Sequence, residues 1–441
     1  MGARHSNFRA ADPDTAAASA ILSGMADAPA IAVSHLARVI REGVKEDLVR
    51  AEPHPVWTRM RALGTELWLD TGDIDQATKL WSAEFTALTT NNSLLNKEIQ
   101  KGAYDHWIPQ AADAAREDRP GISDRDLVLE IAFALNARHG LRLVEHFGAY
   151  VSVELHTDLA EDLERSVAYG RRYHALCPDR FLVKVPLTPA GLLAARRLED
   201  EGVPVNFTLG FSARENFLIT CVARPSWVNV FLGRLNSYVA DEKLGDGALV
   251  GERACLASQR VVQDLRGRLG VSTRQIAASL RGGEQVGLLA GVDVHTMPIA
   301  VAEGFVKTAD PGALRDRTPE DYAPRWAAGV DPAHEGLEDL WRLSDGFRAA
   351  CLHLSSEDPA DLSPQGIVDR LHEAGQGSVF PRLLPEERKA LAAGGKIPRR
   401  ARWKDSVASG RAGLDALFTL AGLYSFAQDQ AALDERIRGQ I

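Results

Sequence analysis

Lys184 lies in the run FLVKVPL, between Val183 and Val185, and its setting is the most chemically informative in the chain. If the run is a β-strand, Lys184 shares one face with Leu182 and Pro186, and Phe181, Val183, Val185 and Leu187 share the other. A lysine aimed into a packed interior is desolvated. Burial lowers an amine's pKa and frees the lone pair that a Schiff-base nucleophile requires. Two structural alternatives stand beside this: a stem that carries its ammonium out to water, or an ion pair with Glu154. Imine chemistry also moves several protons, so it needs acids and bases nearby. Asp70 in LWLDT and Glu154 in AYVSVEL lie opposite the apolar residues of their runs. Asn206 and Thr208 do so in VPVNFTL, where Thr208 could hold a water. Taken singly, a strand-end aspartate is as readily a cap, and a barrel threonine is usually a satisfied hydroxyl.

A second group suits anionic oxygens. Arg281 ends QIAASLR, with Ser279 two residues before it and Gly282 and Gly283 after it. A guanidinium, a hydroxyl and glycine amides fit a phosphate, and Arg234 could add a further charge. The alternative is that arginine is simply the usual base of this chain. His156 and His295, at strand ends, read as structural or substrate-contacting, because no second metal ligand lies at helical spacing. Cys177, Cys221, Cys255 and Cys351 are widely spaced, which argues against a disulfide framework or a zinc site.

These residues need elements to position them. Short apolar runs recur at 67–71, 85–91, 149–155, 181–187, 203–209, 227–234, 275–281 and 292–298, separated by amphipathic stretches such as AGLLAARRLEDEG and CLASQRVVQDLRGRLG. Eight strands alternating with helices predict an α/β fold, a (β/α)₈ TIM barrel, with the polar face of each strand gathered at the C-terminal mouth. In QIAASLR this reading puts Ser279 and Arg281 inward, against Ile276, Ala278 and Leu280. An open doubly wound sheet is the rival, but no G-x-G-x-x-G follows the first strand. The predicted divisions are an N-terminal helical extension over 1–60, a catalytic barrel over 61–306 and a C-terminal helical segment over 307–441 packed on the barrel. The helices of that segment are read in EGLEDLWRLSDGFRAACLHL, QGIVDRLHEAG, PEERKALAAGG and GLDALFTLAGLYSFAQDQAALDERI.

Composition narrows the classes further. The chain has 441 residues, 45% of them apolar, and its formal charge is −9. That much apolar material excludes disorder, and the acidic balance argues against nucleic-acid binding. No apolar run approaches the roughly 18 residues of a membrane span. The N-terminus lacks a secretory h-region, and its M-G-x-x-x-S start fits a myristoylation pattern no better than chance does, so the cytoplasm is the expected location. Only ten of the 51 basic residues are lysine, and Lys184 alone is embedded in an apolar strand. Arginine cannot be deprotonated in a protein and could not take its place as a nucleophile.

The strings LWLDTGDID, ALTTNNSLL, VSVEL, FLVKVPLTPAGLLAARRLEDEGVPVNFTLGFS, NVFLGR and AASLR occur in order over about residues 66–306. Together they resemble the transaldolases. The most specific piece is K-V-P-x-T-x-x-G-L-x-A followed by V-N-F-T-L-x-F-S. The resemblance implies a (β/α)₈ barrel that uses no metal and no organic cofactor. It implies Lys184 as the Schiff-base lysine, Asp70 as the acid/base that cleaves the C–C bond, and Glu154 with Thr208 as a water-activating pair. It also implies that Asn91 binds donor hydroxyls, that Asn206 and Asn229 are substrate contacts, and that Arg234, Ser279 and Arg281 hold phosphate. The implied partners are sugar phosphates, for a monomer or homodimer with no nucleic acid and no membrane. Where the family commonly shows S-P-F-V-G-R, this chain has Asn229-Val-Phe-Leu-Gly-Arg234, and Asn92 stands where a proline usually follows T-T-N, a change expected to affect turn rigidity only. The expected reaction is transfer of dihydroxyacetone between ketose and aldose phosphates. The alternatives are a related aldolase that releases free dihydroxyacetone and a non-catalytic barrel that binds a partner through its C-terminal helices.

Overall fold

A computed structural model describes residues 34–441. β1 (Glu66–Asp70), β2 (Phe85–Thr89), β3 (Tyr150–Glu154), β4 (Phe181–Pro186), β5 (Val205–Thr208), β6 (Trp227–Phe231), β7 (Arg274–Ala278) and β8 (Val294–Met297) pair in sequence order into one closed parallel barrel. The fold is a (β/α)₈ barrel. α1 (His35–Arg41) and α2 (Pro55–Ala62) precede it. α3 (Ile74–Leu80) follows β1, and α4 (Asn92–Gln100), α5 (Ile108–Asp118) and α6 (Asp124–Phe147) follow β2. α7 (Leu163–Leu176), α8 (Pro189–Asp200) and α9 (Ala213–Val222) follow β3, β4 and β5. α10 (Leu232–Asp241) and α11 (Val250–Leu269) follow β6, α12 (Gly283–Leu288) follows β7, and α13 (Ile299–Thr308) follows β8. The remaining helices are α14 (Asp345–Ser356), α15 (Pro364–Glu373), α16 (Pro385–Ala393), α17 (Arg400–Ala408) and α18 (Leu414–Arg438).

Alternation along the strands sorts the side chains. Phe181 and Val153 pack outward against Gly140 of α6, which leaves Lys184 and Glu154 inside. At the N-terminal end of the barrel the Trp68 and Trp227 rings meet edge to face, with centroids 5.4 Å apart. Beneath them Glu66 pairs with Arg274 and accepts from Thr86 and Trp68. The far end, by contrast, holds a cavity.

Several expectations need correction. The strand read over 227–234 stops at Phe231, and Arg234 lies in the first turn of α10. The strand read over 275–281 stops at Ala278, and its faces are the reverse of those expected. Ile276 and Ala278 line the mouth, while Gln275 points outward to Asn216 and Ser258 on α9 and α11. Ser279 then takes a left-handed φ of 63°, which breaks the alternation, and both Ser279 and Arg281 still reach the mouth. Over residues 34–49, the helix expected within the N-terminal extension is confined to α1, which Ser34 caps and after which Gly43 has a positive φ. Residues 1–33 of the expected N-terminal extension lie outside the described residues. The helix expected in EGLEDLWRLSDGFRAACLHL begins only after Ser344, whose hydroxyl caps the Phe347 amide at 3.1 Å.

α18 crosses the barrel mouth. At its start Asp415 is buried against Arg214 (2.6 and 2.7 Å) and Ser212 (2.7 Å). Phe418 stacks on Phe211 with centroids 5.1 Å apart, and Thr419 donates to the Leu209 carbonyl at 2.8 Å. Farther along, Asp434 meets His156 at 3.3 Å and Arg436 pairs with Asp105 at 2.6 Å. Glu215 lies beside the first of these contacts, accepting from the Phe211 amide at 2.7 Å, with its other carboxyl oxygen 2.8 Å from the Thr419 hydroxyl. Burial, with Asp415 beside it, pushes the Glu215 carboxyl from 4.5 up to about 8. A carboxyl raised by folding contributes stability below its unfolded pKa and loses it as pH climbs through the folded value. The thermal midpoint is therefore expected to fall by a few degrees between pH 5 and 9. Glu215→Gln, which keeps the hydrogen bonds without the charge, should flatten that slope in a melting series; an unchanged slope would refute the assignment.

Candidate active site

The β2–α4 turn, Thr89-Thr90-Asn91-Asn92, organises one side of the mouth. Asn91 caps α4, its Oδ1 accepting from the Leu94 amide at 2.8 Å. The Thr90 carbonyl accepts from Lys184 Nζ at 3.1 Å, and the Asn92 amide donates to Glu154 Oε2 at 3.0 Å. This last bond corrects an expectation. A proline at 92 has no N–H, so asparagine there alters the electrostatics of Glu154 as well as the turn. The β1–α3 turn is fixed likewise: Thr71 Oγ1 accepts from the Asp73 amide at 3.0 Å, and His139 Nε2 lies 2.9 Å from the Gly72 carbonyl. Burial lowers His139 to about 4, so it is neutral and donates there.

Lys184 is 4% exposed and has no carboxylate within 4.0 Å among the described residues, so neither structural alternative is realised. Strand pairing sets it abreast of Glu154 on β3 and Asn206 on β5. Asp70 opens into the same cavity, accepting from Thr89 Oγ1 at 2.8 Å, and Thr89 is in turn 2.6 Å from Thr296. Burial raises the Asp70 carboxyl, although Lys184, Thr89 and Arg281 pull it down. Glu154 is raised by burial too, against the pull of Lys184 and the Asn92 amide. Two carboxyls held above their ordinary range beside an unpaired amine suit general acid and base work.

The cavity measures about 380 Å³. Of the sequence-derived residues, Lys184, Asp70, Asn91, Asn206, Asn229, Arg234, Ser279 and Arg281 all line it. Glu154 and Thr208 lie behind its wall, with Thr208 beside Pro186 at the end of β4. Asn206 donates to Ser152 at 3.0 Å, but its Oδ1 has no partner, and neither has Thr208 Oγ1. Unsatisfied buried polar atoms cost stability and cluster where ligands or water are handled. The Asn229 amide is engaged on both sides, donating to the Phe207 carbonyl at 3.0 Å and accepting from the Gly210 amide at 3.3 Å. His295 faces away from the mouth onto the Leu289 carbonyl, 2.9 Å away.

Gly233 explains how Arg234 reaches the site. A Cβ there would sit 2.1 Å from the Ser279 carbonyl oxygen, so only glycine lets α10 start this close to β7. At Gly422 of α18 a Cβ would come within 2.8 Å of the Leu209 side chain and 3.0 Å of the Arg234 guanidinium, so the glycine leaves these two side chains room. Lys97 on α4, Lys396, and Ser425, Phe426 and Asp429 on α18 also line the cavity. Sequence reasoning missed them. Lys97 lies on an exposed helical face, and the others are far from the barrel strands in sequence.

A sequence profile described as Transaldolase/Fructose-6-phosphate aldolase matches residues 67–337, well over half of the chain. The chain belongs to that family. It is 33% identical over 246 residues to a probable transaldolase of Thermus thermophilus, covering 55% of this chain and 91% of that protein. It is 30% identical over 235 residues to a transaldolase of Xanthomonas euvesicatoria, covering 52% and 71%. A transaldolase of Trichormus variabilis matches at 28% over 331 residues, covering 73% of this chain and 91% of its own length. As a member of this family the protein is a transaldolase-type enzyme. No group of three metal-ligating side chains is found among the described residues, and no helix there is long and apolar enough to cross a membrane.

Proposed function

We propose that the protein transfers dihydroxyacetone between sugar phosphates through an imine on Lys184. Sedoheptulose 7-phosphate and glyceraldehyde 3-phosphate would give erythrose 4-phosphate and fructose 6-phosphate, a reaction of the pentose phosphate pathway in the cytoplasm. The observation that carries the reading is the buried, unpaired Lys184 facing one cavity with Asp70, abreast of Glu154. Neutral Lys184 Nζ attacks the ketose C2, and loss of water, with Glu154 and Thr208 handling the proton and the water, leaves the imine. Asp70 takes the proton of the C4 hydroxyl. The C3–C4 bond breaks, the aldose phosphate departs, and the electron pair remains on the enzyme-bound three-carbon enamine. Attack of C3 on the acceptor aldehyde, with Asp70 returning the proton, reverses these steps, and hydrolysis frees Lys184. Arg234, Ser279 and Arg281 line the cavity where the phosphate would lie.

Borohydride reduction in the presence of fructose 6-phosphate, followed by peptide mapping, tests this. The expected product is a three-carbon adduct on Lys184, and sedoheptulose 7-phosphate should form when erythrose 4-phosphate is added. An adduct without transfer, with free dihydroxyacetone accumulating, would favour the aldolase reading. Glu154 supports transfer, because smaller aldolase relatives generally carry tyrosine in its place. Asp70→Asn is expected to lower kcat by about 10²–10⁴-fold. The trapped adduct should then keep six carbons, because the imine forms but the bond does not break. A three-carbon adduct in that variant would remove Asp70 from the cleavage step.

A further inference from the structure

Arg234 is 6% exposed and boxed by three rings, with Phe231, Phe426 and Phe211 centroids 5.3, 5.7 and 5.9 Å from its guanidinium carbon. Among the described residues its five N–H donors find one acceptor, the Lys396 carbonyl at 3.4 Å, and no carboxylate within 4.0 Å. Arg281 and Lys396 open onto the same cavity and likewise have no ion-pair partner among the described residues. Three cations converge on one space with no carboxylate within 4.0 Å among the described residues; Asp429 on the same wall offsets their repulsion only in part, and a dianion among them relieves it. The mutual effect is visible in the groups themselves. Burial, then Arg281, brings the Arg234 guanidinium down to about 10, and Lys396 is lowered by burial and by both arginines.

Lys396 comes from the loop between α16 and α17, beyond the family match at 67–337. Gly394 and Gly395 precede it, and its own carbonyl is the Arg234 contact. The loop therefore both steadies Arg234 and brings a compact point charge to the rim, where the arginines supply planar donors.

We propose that Lys396 is a third cation of the substrate-phosphate subsite, so that the C-terminal segment sets the preference for phosphorylated over unphosphorylated sugars. This rests on the sugar-phosphate reading above. Inorganic phosphate binding, measured by calorimetry on the full chain, is expected to weaken about tenfold in Lys396→Met. It should be largely restored in Lys396→Arg and unchanged in Lys389→Met, an exposed lysine of the same segment that does not line the cavity. In the borohydride assay the half-saturating concentration of fructose 6-phosphate should rise by a similar factor in Lys396→Met, and that of free dihydroxyacetone should stay fixed. Lys396 is exposed, so the variants should fold. An unchanged phosphate affinity overturns the inference whether or not Lys184 is labelled. An equal loss for phosphate-free dihydroxyacetone also overturns it, because the lysine would then act on the site as a whole. Weakened phosphate binding with no adduct on Lys184 in any variant would overturn the imine reading and leave the anion subsite standing.

Discussion

Lys184→Arg is expected to lower turnover by about four orders of magnitude and to abolish borohydride trapping, with the fold intact. Arginine keeps a long basic side chain at the position. What is lost is the ability to shed a proton and attack a carbonyl. The variant should fold, because the only hydrogen bond Lys184 makes among the described residues is to the Thr90 carbonyl, at 3.1 Å. Rates, adduct mapping and a melting curve on the same preparation give the check. Substantial turnover with a normal melt would show that another group is the nucleophile.

Deleting residues 310–441 is expected to give an insoluble or inactive barrel. All ten residues of α9 are buried, and α14 packs on this helix while α18 crosses the turn before it. Truncation would leave an apolar helix in water, with Phe211, Phe217 and Tyr238 losing cover, at roughly 1.5–3 kcal/mol per large side chain. Arg214, buried against Asp415 and Asp339, would lose both partners. The cavity would also lose Lys396 and its α18 wall. Expression yield, light scattering and sugar-phosphate turnover measure the outcome, and a monodisperse, fully active truncation would sink the idea.

Period-two alternation makes much of this legible in the sequence. It put Lys184, Glu154 and Asp70 on inward faces because one residue's shift would have buried their charges among helices. It failed at β7, where Ile276 and Ala278 took the inward positions and Ser279 restored the polar group through a backbone conformation that side-chain pattern does not encode. The backbone contacts of Thr90 and Asn92 were hidden for a related reason: carbonyls and amides carry no residue signature. Lys396 and Asp429 reach the mouth through tertiary packing, 99 and 132 residues of chain beyond the end of the last strand, and no local periodicity reports that.

On the proposed mechanism, the strap of α18 across the mouth bears on the fate of a bound three-carbon fragment. An enamine open to bulk water would be protonated and its product shed, which is the behaviour of an aldolase. Phe426 and the neighbouring turn of α18 wall the cavity on that side, and Gly422 leaves the Leu209 and Arg234 side chains room beneath the helix. On the proposed mechanism the helix lengthens the lifetime of the carbanion equivalent until an acceptor aldehyde arrives. The partition between handing the fragment on and losing it to solvent then depends on how closely α18 sits over the barrel.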